Sequence, residues 1–266
     1  MRKSSLLIIF LVVFIDLVGF GIVIPILPYY AKTYGASAWE LGWLMTSYSL
    51  MQFLFAPVWG RISDHVGRRP VLLISILGTA LSMGLLAWAP SLAWLFVGRL
   101  FAGICGANIS TAYAYITDVT SEKDRAKGMG MVGAAFGLGF IFGPAIGGVL
   151  SRYGYAAPML AGAGLALFNL VFAFFRLEEP KLAPSVRSSH RSKRFDFGSI
   201  REVLSSRQTA VAILAFLLVT FAVTQLEVTF ALFMGERYGY DAVEAGMLLA
   251  VMGIVMVGIQ GGLIGN

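Results

Sequence analysis

The chain has 266 residues, of which 58% are hydrophobic and 13% charged, and its mean hydropathy is +0.80. A chain with so few charges lacks the polar surface that a soluble globular protein needs, so the composition indicates a protein that crosses a membrane several times. The net charge is +6, and the single cysteine, Cys105, excludes an internal disulfide framework.

Apolar stretches long enough to cross a hydrocarbon core of about 30 Å recur along the chain. They lie near residues 5–28, 41–60, 71–90, 93–117, 128–150, 156–176, 208–234 and 243–265. Strands would require a closed barrel of short alternating segments, and these stretches are neither short nor alternating. We therefore predict an all-α integral membrane protein with one transmembrane helix for each stretch.

Lys and Arg residues are divided unequally between the two predicted faces of the membrane. Sixteen of the 20 lie at the N-terminus, in the loops after the second and fourth stretches, or between residues 176 and 207, whereas the opposite face carries Lys32, Arg152 and Arg237. The positive-inside rule then predicts a cytoplasmic N-terminus in an inner or plasma membrane. The basic excess reflects this topology, so we expect no nucleic-acid partner.

Residues 177–207 interrupt the apolar pattern with prolines, serines and basic residues, which indicates a polar cytoplasmic linker. The linker divides the chain into a six-helix bundle, residues 1–176, and the start of a second bundle, residues 208–266. Both flanking segments are apolar enough to form membrane helices, so we predict two bundles joined by the linker.

One short sequence occurs twice. The segment YGASAWELG (34–42) resembles YGYDAVEAG (238–246), and both stand before the second helix of a predicted bundle. A parallel repeat of a six-helix unit is a transporter plan that places the substrate site between the halves. A complete repeat would need about 400 residues and twelve helices, so we expect either a fragment or a truncated gene product.

The sequence GRISDHVGRRP (60–70) lies between the second and third apolar stretches. It resembles the cytoplasmic loop that major facilitator superfamily transporters carry between their second and third helices, with matches at Gly60, Asp64, Gly67, Arg68 and Arg69. His65 departs from the basic residue usual there. Glycines permit a tight loop, and Asp64 can cap a helix N-terminus and pair with an arginine. The resemblance implies a conformational latch that also involves Asp118; a pure topology signal is the alternative.

Two further sequence motifs restrict the resemblance to one branch of the superfamily. The fifth helix contains GLGFIFGPAIGG (137–148), which resembles the antiporter motif of this superfamily at Gly139, Gly143, Pro144, Gly147 and Gly148. The first helix contains DLVGFGIVIPILP (16–28), which is similar to the opening of tetracycline and multidrug efflux pumps. By this resemblance the chain is identified as a member of the drug:proton antiporter branch, with six helices of one bundle and two of the next, about eight of an expected twelve.

Three charged residues fall well inside predicted helices, away from the helix ends. Asp16 is costly in hydrocarbon, so we expect it to face a cavity and to couple transport to protons or substrate; pairing with a hydroxyl is the alternative. Arg99 stands in GRLFAGICGA (98–107), which resembles a family stretch associated with proton coupling, although Arg99 could instead extend toward the outer surface. Glu227 interrupts the seventh helix and shares a face with Thr224, which favours a site role.

Other polar or aromatic positions inside the helices are candidates for substrate contact. They are Gln52, Asn108, Tyr113, Tyr115 and Gln225. Each is more often structural than functional. An enzyme is not expected, because both histidines fall in predicted loops and no metal-ligand or ATP-binding pattern is present.

The leading hypothesis is therefore a secondary transporter that exports tetracycline or other drugs in exchange for protons by alternating access. Its partners would be a small-molecule substrate, protons and the lipid bilayer, with a proton gradient as energy source and no cofactor. Two alternatives stay open: a major facilitator carrier for a metabolite such as a sugar or organic acid, and a truncated membrane protein that does not transport.

Overall fold

The computed structural model describes residues 3–180 and 206–263. These residues form nine α-helices, with a 3₁₀ turn at Ser151–Tyr153. The helices are α1 (Lys3–Thr33), α2 (Ala38–Val66), α3 (Arg68–Ala87), α4 (Leu92–Cys105), α5 (Asn108–Val119), α6 (Glu122–Leu150), α7 (Ala156–Arg176), α8 (Arg207–Tyr238) and α9 (Ala242–Leu263).

The helices match the eight predicted apolar stretches, with α4 and α5 sharing one of them. Five segments of the described chain are long and apolar enough to cross a membrane: Leu6–Thr33, Arg68–Ala87, Leu92–Val119, Asp124–Tyr153 and Ala156–Arg176. The predicted all-α membrane fold is confirmed. Of the predicted linker, residues 181–205 lie outside the described residues.

The two copies of the short repeated sequence adopt the same local structure. Ser37 and Glu40 form a capping box at the start of α2, because each side chain bonds the backbone N–H of the other residue. Asp241 and Glu244 form the equivalent pair before α9. The Ser37 hydroxyl and backbone N–H both donate to Glu40, which lowers the pKa of this exposed carboxyl. The sequence repeat is therefore also a repeat of structure.

Helix α1 lies between α6 and α7 and organises the core. Gly143 of α6 packs directly on α1, since a Cβ there would lie 2.6 Å from the Cα of Gly21. Asn169 of α7, fully buried, donates from Nδ2 to the Val12 carbonyl at 2.8 Å. Small residues let helix backbones approach closely where the bilayer offers no hydrophobic driving force.

The loops define two ends of the bundle. The basic end carries the α2–α3 junction, the α5–α6 turn and the chain after α7; the opposite end carries the α1–α2, α3–α4, α6–α7 and α8–α9 loops. The predicted loop at residues 60–70 is almost entirely helical. Helix α2 continues through Gly60 to Val66, and Gly67 alone separates it from α3 with φ +113°. Gly60 has open space around it, so no close approach requires a glycine there.

The fourth predicted stretch is broken between α4 and α5, a feature not predicted from the sequence. Neighbouring helices bond the carbonyls freed by the break: Gln52 donates to Gly106 at 3.0 Å and Trp59 to Ile104 at 2.5 Å. The Ser75 hydroxyl donates to the Cys105 carbonyl and accepts from the Ala107 N–H. A helix can be interrupted within a bundle when its polar backbone groups are bonded in this way.

Candidate functional site

A cavity lies within the first bundle, among α1 to α5. It has an empty volume of about 510 Å³, including its open side. Its polar lining residues are Asp16, Tyr48, Gln52, Thr79, Ser82, Arg99 and Asn108. The break between α4 and α5 borders the cavity through Gly106 and Asn108, so the interruption of the helix shapes the site.

Asp16 brings a carboxylate to this cavity from the middle of α1. Its Oδ1 atom is shielded from solvent and has no hydrogen-bond partner in the described structure. The side chains of Asn108 and Thr79 are hydrogen-bonding neighbours of the same carboxylate. Asp16 therefore faces a polar cavity, as expected, and one of its oxygens is left for a proton or a ligand.

Arg99 enters the same cavity from α4. The residue is 5% exposed, so it does not extend to the outer surface as the alternative interpretation supposed. Its guanidinium carbon lies 4.5 Å from the centre of the Tyr48 ring, a cation–π contact, while Nε has no hydrogen-bond partner in the part of the chain that the structure describes. Among the described residues no carboxylate lies within ion-pairing distance of Arg99.

Two of the predicted substrate contacts line the cavity. Gln52 donates from Nε2 to the Tyr48 hydroxyl at 3.2 Å as well as to Gly106, so it also supports the helix break. Asn108 is 7% exposed, and its Oδ1 is buried without a partner. An unpartnered buried amide oxygen beside Asp16 adds a hydrogen-bond acceptor to the site.

The remaining candidates lie elsewhere. Tyr115 is 1% exposed within the apolar core, and its hydroxyl donates to the Glu178 carbonyl at 2.9 Å, so it does not line the cavity. Tyr113 is partly exposed and is also absent from the lining. Gln225 is exposed on α8, and its carbonyl accepts from Thr229. Glu227 and Thr224 belong to α8, but the structure does not describe their side chains.

The motif residues at the basic end form an ion-pair network around Arg68. Its Nε lies 2.9 Å from Asp118 Oδ2, its Nη1 lies 2.7 Å from Asp64 Oδ1, and Nη1 also donates to Ser63 at 2.6 Å. The side chains of Arg68 and Asp118 are 7% and 4% exposed, so this pair is buried. The predicted pairing of Asp64 and Asp118 with an arginine is present in the structure.

The α3 N-terminus is capped by Glu179, not by Asp64. The Glu179 carboxylate accepts from the backbone N–H of Arg68 at 2.6 Å and of Arg69 at 2.9 Å. Arg69 instead donates to the Phe174 carbonyl and lies over the Phe174 ring. Sequence reasoning missed Glu179 because 111 residues separate it from Arg68. In the sequence, the only sign of this capping role was the position of Glu179 just after the last turn of α7.

The glycines of α6 make two close crossings. Gly139 and Gly147 pack on Leu17 and Ile22 of α1, as Gly143 packs on Gly21. On another face, Gly148 contacts α9, and a Cβ on Gly246 would lie 2.5 Å from the Pro144 carbonyl oxygen. The predicted close crossing is therefore found twice, and the second crossing joins the first bundle to the beginning of the next.

Polar contacts at the opposite end also join the two parts of the chain. Lys32 pairs with Glu236 at 2.9 Å, and the two residues are 204 positions apart, the offset of the repeat. The Tyr29 hydroxyl lies 2.9 Å from the Ala231 carbonyl and 3.0 Å from that of Tyr240. The ends of α1 and α8, which are equivalent in the repeat, thus meet each other.

A bundle of apolar helices around a polar cavity, with glycine crossings between repeated units, is the plan of a transporter fold. The model of the Major Facilitator Superfamily matches residues 9–266, and the chain belongs to this superfamily. Its members are transporters, so the prediction that the chain is not an enzyme is confirmed. Membership of this superfamily also confirms a multi-pass membrane protein.

Individual relatives can be named within and beside the superfamily match. The chain is 38% identical over 259 residues to the tetracycline resistance protein, class E, of Escherichia coli, covering 94% of this chain and 62% of that protein. It is 28% identical to multidrug resistance protein 2 of Bacillus subtilis, covering 97% of this chain and 65% of that protein. The crystal structure of the human organic anion transporter MFSD10 is 26% identical, with a TM-score of 0.73, covering 98% of this chain and 71% of that one. The chain thus spans slightly less than two thirds of these two curated relatives.

Proposed function

We propose that this chain belongs to a proton-coupled exporter of tetracycline or other drug-like molecules, which works by alternating access in an inner or plasma membrane. The basic end, with the N-terminus and the linker, faces the cytoplasm. A proton gradient supplies the energy and no cofactor is needed. The names of the tetracycline and multidrug resistance relatives support this assignment.

The observation that carries the proposal is a pair of opposite charges in one cavity that do not neutralise each other. Asp16 has an unpartnered oxygen, and Arg99 has an unpartnered nitrogen. Isolated charges inside a membrane bundle are costly and therefore indicate a function. A carboxylate that gains a proton from one side and releases it to the other exchanges that proton for substrate when the same cavity opens to each side in turn.

The test is tetracycline accumulation in inside-out vesicles that carry the complete reading frame. With an acidic vesicle interior, we expect gradient-driven accumulation by the native protein. Asp16→Asn removes the titratable group with little change in size, so uphill accumulation should fall by at least about tenfold, the usual scale for a group essential to proton transfer. Glu122→Gln is the matched control, because Glu122 is an exposed carboxylate in the first turn of α6.

Equilibrium exchange of drug across the vesicle membrane separates two roles of Asp16. If Asp16 carries only the proton, Asp16→Asn should still exchange labelled for unlabelled drug without a gradient. If Asp16 also binds drug, this exchange is lost as well. Gradient-driven uptake that survives Asp16→Asn unchanged would refute the coupling role.

An organic-acid carrier is the second candidate, favoured by the buried and unpaired Arg99. A relative named as an organic anion transporter supports it. Uptake of a panel of carboxylic acids by the same vesicles distinguishes the two. Acid uptake that Arg99→Gln abolishes, without any drug uptake, would favour this alternative. No uptake of either class would favour a chain that does not transport.

A further inference from the structure

The N-terminus of α3 lacks a cap from its own sequence. The residue before the helix is Gly67, which has no side chain to bond the first N–H groups. Both Glu179 carboxylate oxygens take that place, one on the N–H of Arg68 and one on the N–H of Arg69. A carboxylate at a helix N-terminus is favoured by hydrogen bonding and by the helix dipole, so this contact fixes where α3 begins.

Gly67 is shaped to receive this carboxylate. A Cβ at position 67 would lie 2.7 Å from Glu179 Oε1, closer than non-bonded atoms approach. Its φ of +113° is also a conformation that other residues rarely adopt. The backbone conformation therefore favours glycine at this position, and the missing side chain leaves room for the Glu179 carboxylate, which any Cβ would displace.

The residues around Glu179 are anchored by other contacts. Leu177 is 2% exposed and belongs to the core of the first bundle. The Tyr115 hydroxyl bonds the Glu178 carbonyl at 2.9 Å, and Arg69 bonds the Phe174 carbonyl at 2.6 Å. The chain between the end of α7 and Pro180 is therefore held against α3 and α5, the same helices that carry Arg68 and Asp118.

We propose that Glu179 is a positioning residue for the Arg68 ion-pair network and that it connects this network to the linker. By fixing the first turn of α3, Glu179 places the Arg68 side chain between Asp64 and Asp118. The described chain leaves this anchor at Pro180, so Glu179 joins the orientation of Arg68 to the segment that follows α7. The transport consequence rests on the proposed function, whereas the positioning does not.

Hydrogen exchange tests the contact in the complete protein in nanodiscs. Removal of a helix cap exposes the first amides, so Glu179→Ala should speed exchange in residues 66–70 by about fivefold, the factor that corresponds to an average N-cap. Glu179→Gln keeps the size and one acceptor, and it should give a smaller increase. Glu122→Gln, which removes a carboxylate from the first turn of α6 at the same end, should leave residues 66–70 unchanged.

Coupling to the network is tested with a double-mutant cycle of Glu179→Gln and Asp118→Asn, read by the same exchange. If Glu179 acts by placing Arg68, the double variant should exchange more slowly than the product of the two single increases predicts. Independent effects would multiply, and that result would overturn the positioning role. Exchange at residues 66–70 that Glu179→Ala leaves unchanged would overturn the contact itself.

Vesicle transport supplies the functional readout. Glu179→Gln should lower the maximal rate several-fold with little change in KM, because the cavity residues are untouched. A normal maximal rate together with faster exchange would limit Glu179 to a structural cap and overturn its connection to transport. If the native protein transports nothing, the proposed function fails, while the exchange cycle still decides whether Glu179 positions Arg68.

Discussion

The two ends of the helical bundle are held together by different kinds of contact. At the basic end, the ion pairs of Arg68 with Asp64 and with the buried Asp118 join α2, α3 and α5, all within the first bundle. At the opposite end, an exposed ion pair and the glycine contacts of Gly148 and Gly246 join α1 and α6 to α8 and α9. The first set shapes one bundle, whereas the second set holds two bundles together. Only the second set must separate when the bundles move apart at that end.

The largest expected effect is at the basic end. Arg68→Ala leaves the Asp118 carboxylate buried without a counter-ion, so we expect a loss of about 3 kcal/mol in unfolding free energy. Thermal unfolding in detergent measures the loss. The double variant Arg68→Ala/Asp118→Ala should recover part of it, because the unpaired charge is gone. Arg61→Ala, on an exposed position of α2, is the control. Equal losses in the single and double variants would contradict a buried ion pair.

At the opposite end, a larger side chain at the crossing of α6 and α9 should lower the stability of the protein. Gly246→Ala places a methyl group 2.5 Å from the Pro144 carbonyl oxygen, so α6 and α9 must move apart, at a cost of about 1–2 kcal/mol. Gly133→Ala is the matched control, because the space around Gly133 is open and alanine favours a helix. The midpoints of thermal unfolding compare the two. A midpoint for Gly246→Ala as high as that of Gly133→Ala would show that this crossing is not tight.

The smallest expected effect is at the exposed ion pair. Lys32→Glu places like charges together, but the two side chains are 37% and 70% exposed, so the cost should stay below about 1 kcal/mol. The exchanged pair Lys32→Glu/Glu236→Lys should restore the native midpoint. Because salt screens exposed charges, the difference should shrink between low and high ionic strength. A difference that does not depend on salt would show that Lys32 acts by another contact.

The fold was largely predictable because its signals are local. Apolar length located the helices, and the repeated YG segment predicted two equivalent loops, which the capping pairs of Ser37 and Asp241 then showed. The cavity positions of Asp16 and Arg99 followed from the cost of charge in hydrocarbon, a rule that depends on a single residue and its surroundings. Such rules need no knowledge of how distant segments pack.

What the sequence did not reveal depends on partners far along the chain. The cap on α3 comes from Glu179, and no local pattern connects that residue with Gly67. Tyr115 was expected at the cavity because an aromatic hydroxyl inside a helix suits a ligand, but its hydroxyl reaches the chain after α7 instead. Gly60 resembled a loop glycine, yet α2 continues through it. Each error concerns packing between segments.

The interruption between α4 and α5 has a consequence for how the protein is made. With 14 and 12 residues, neither helix is long enough to cross a bilayer alone, whereas the 28 residues of Leu92–Val119 are. The side chains that bond the break, Gln52, Trp59 and Ser75, all precede it in the chain. During synthesis these partners leave the ribosome first, so the segment can enter the membrane as one helix and open at Gly106 when it meets helices that are already in place.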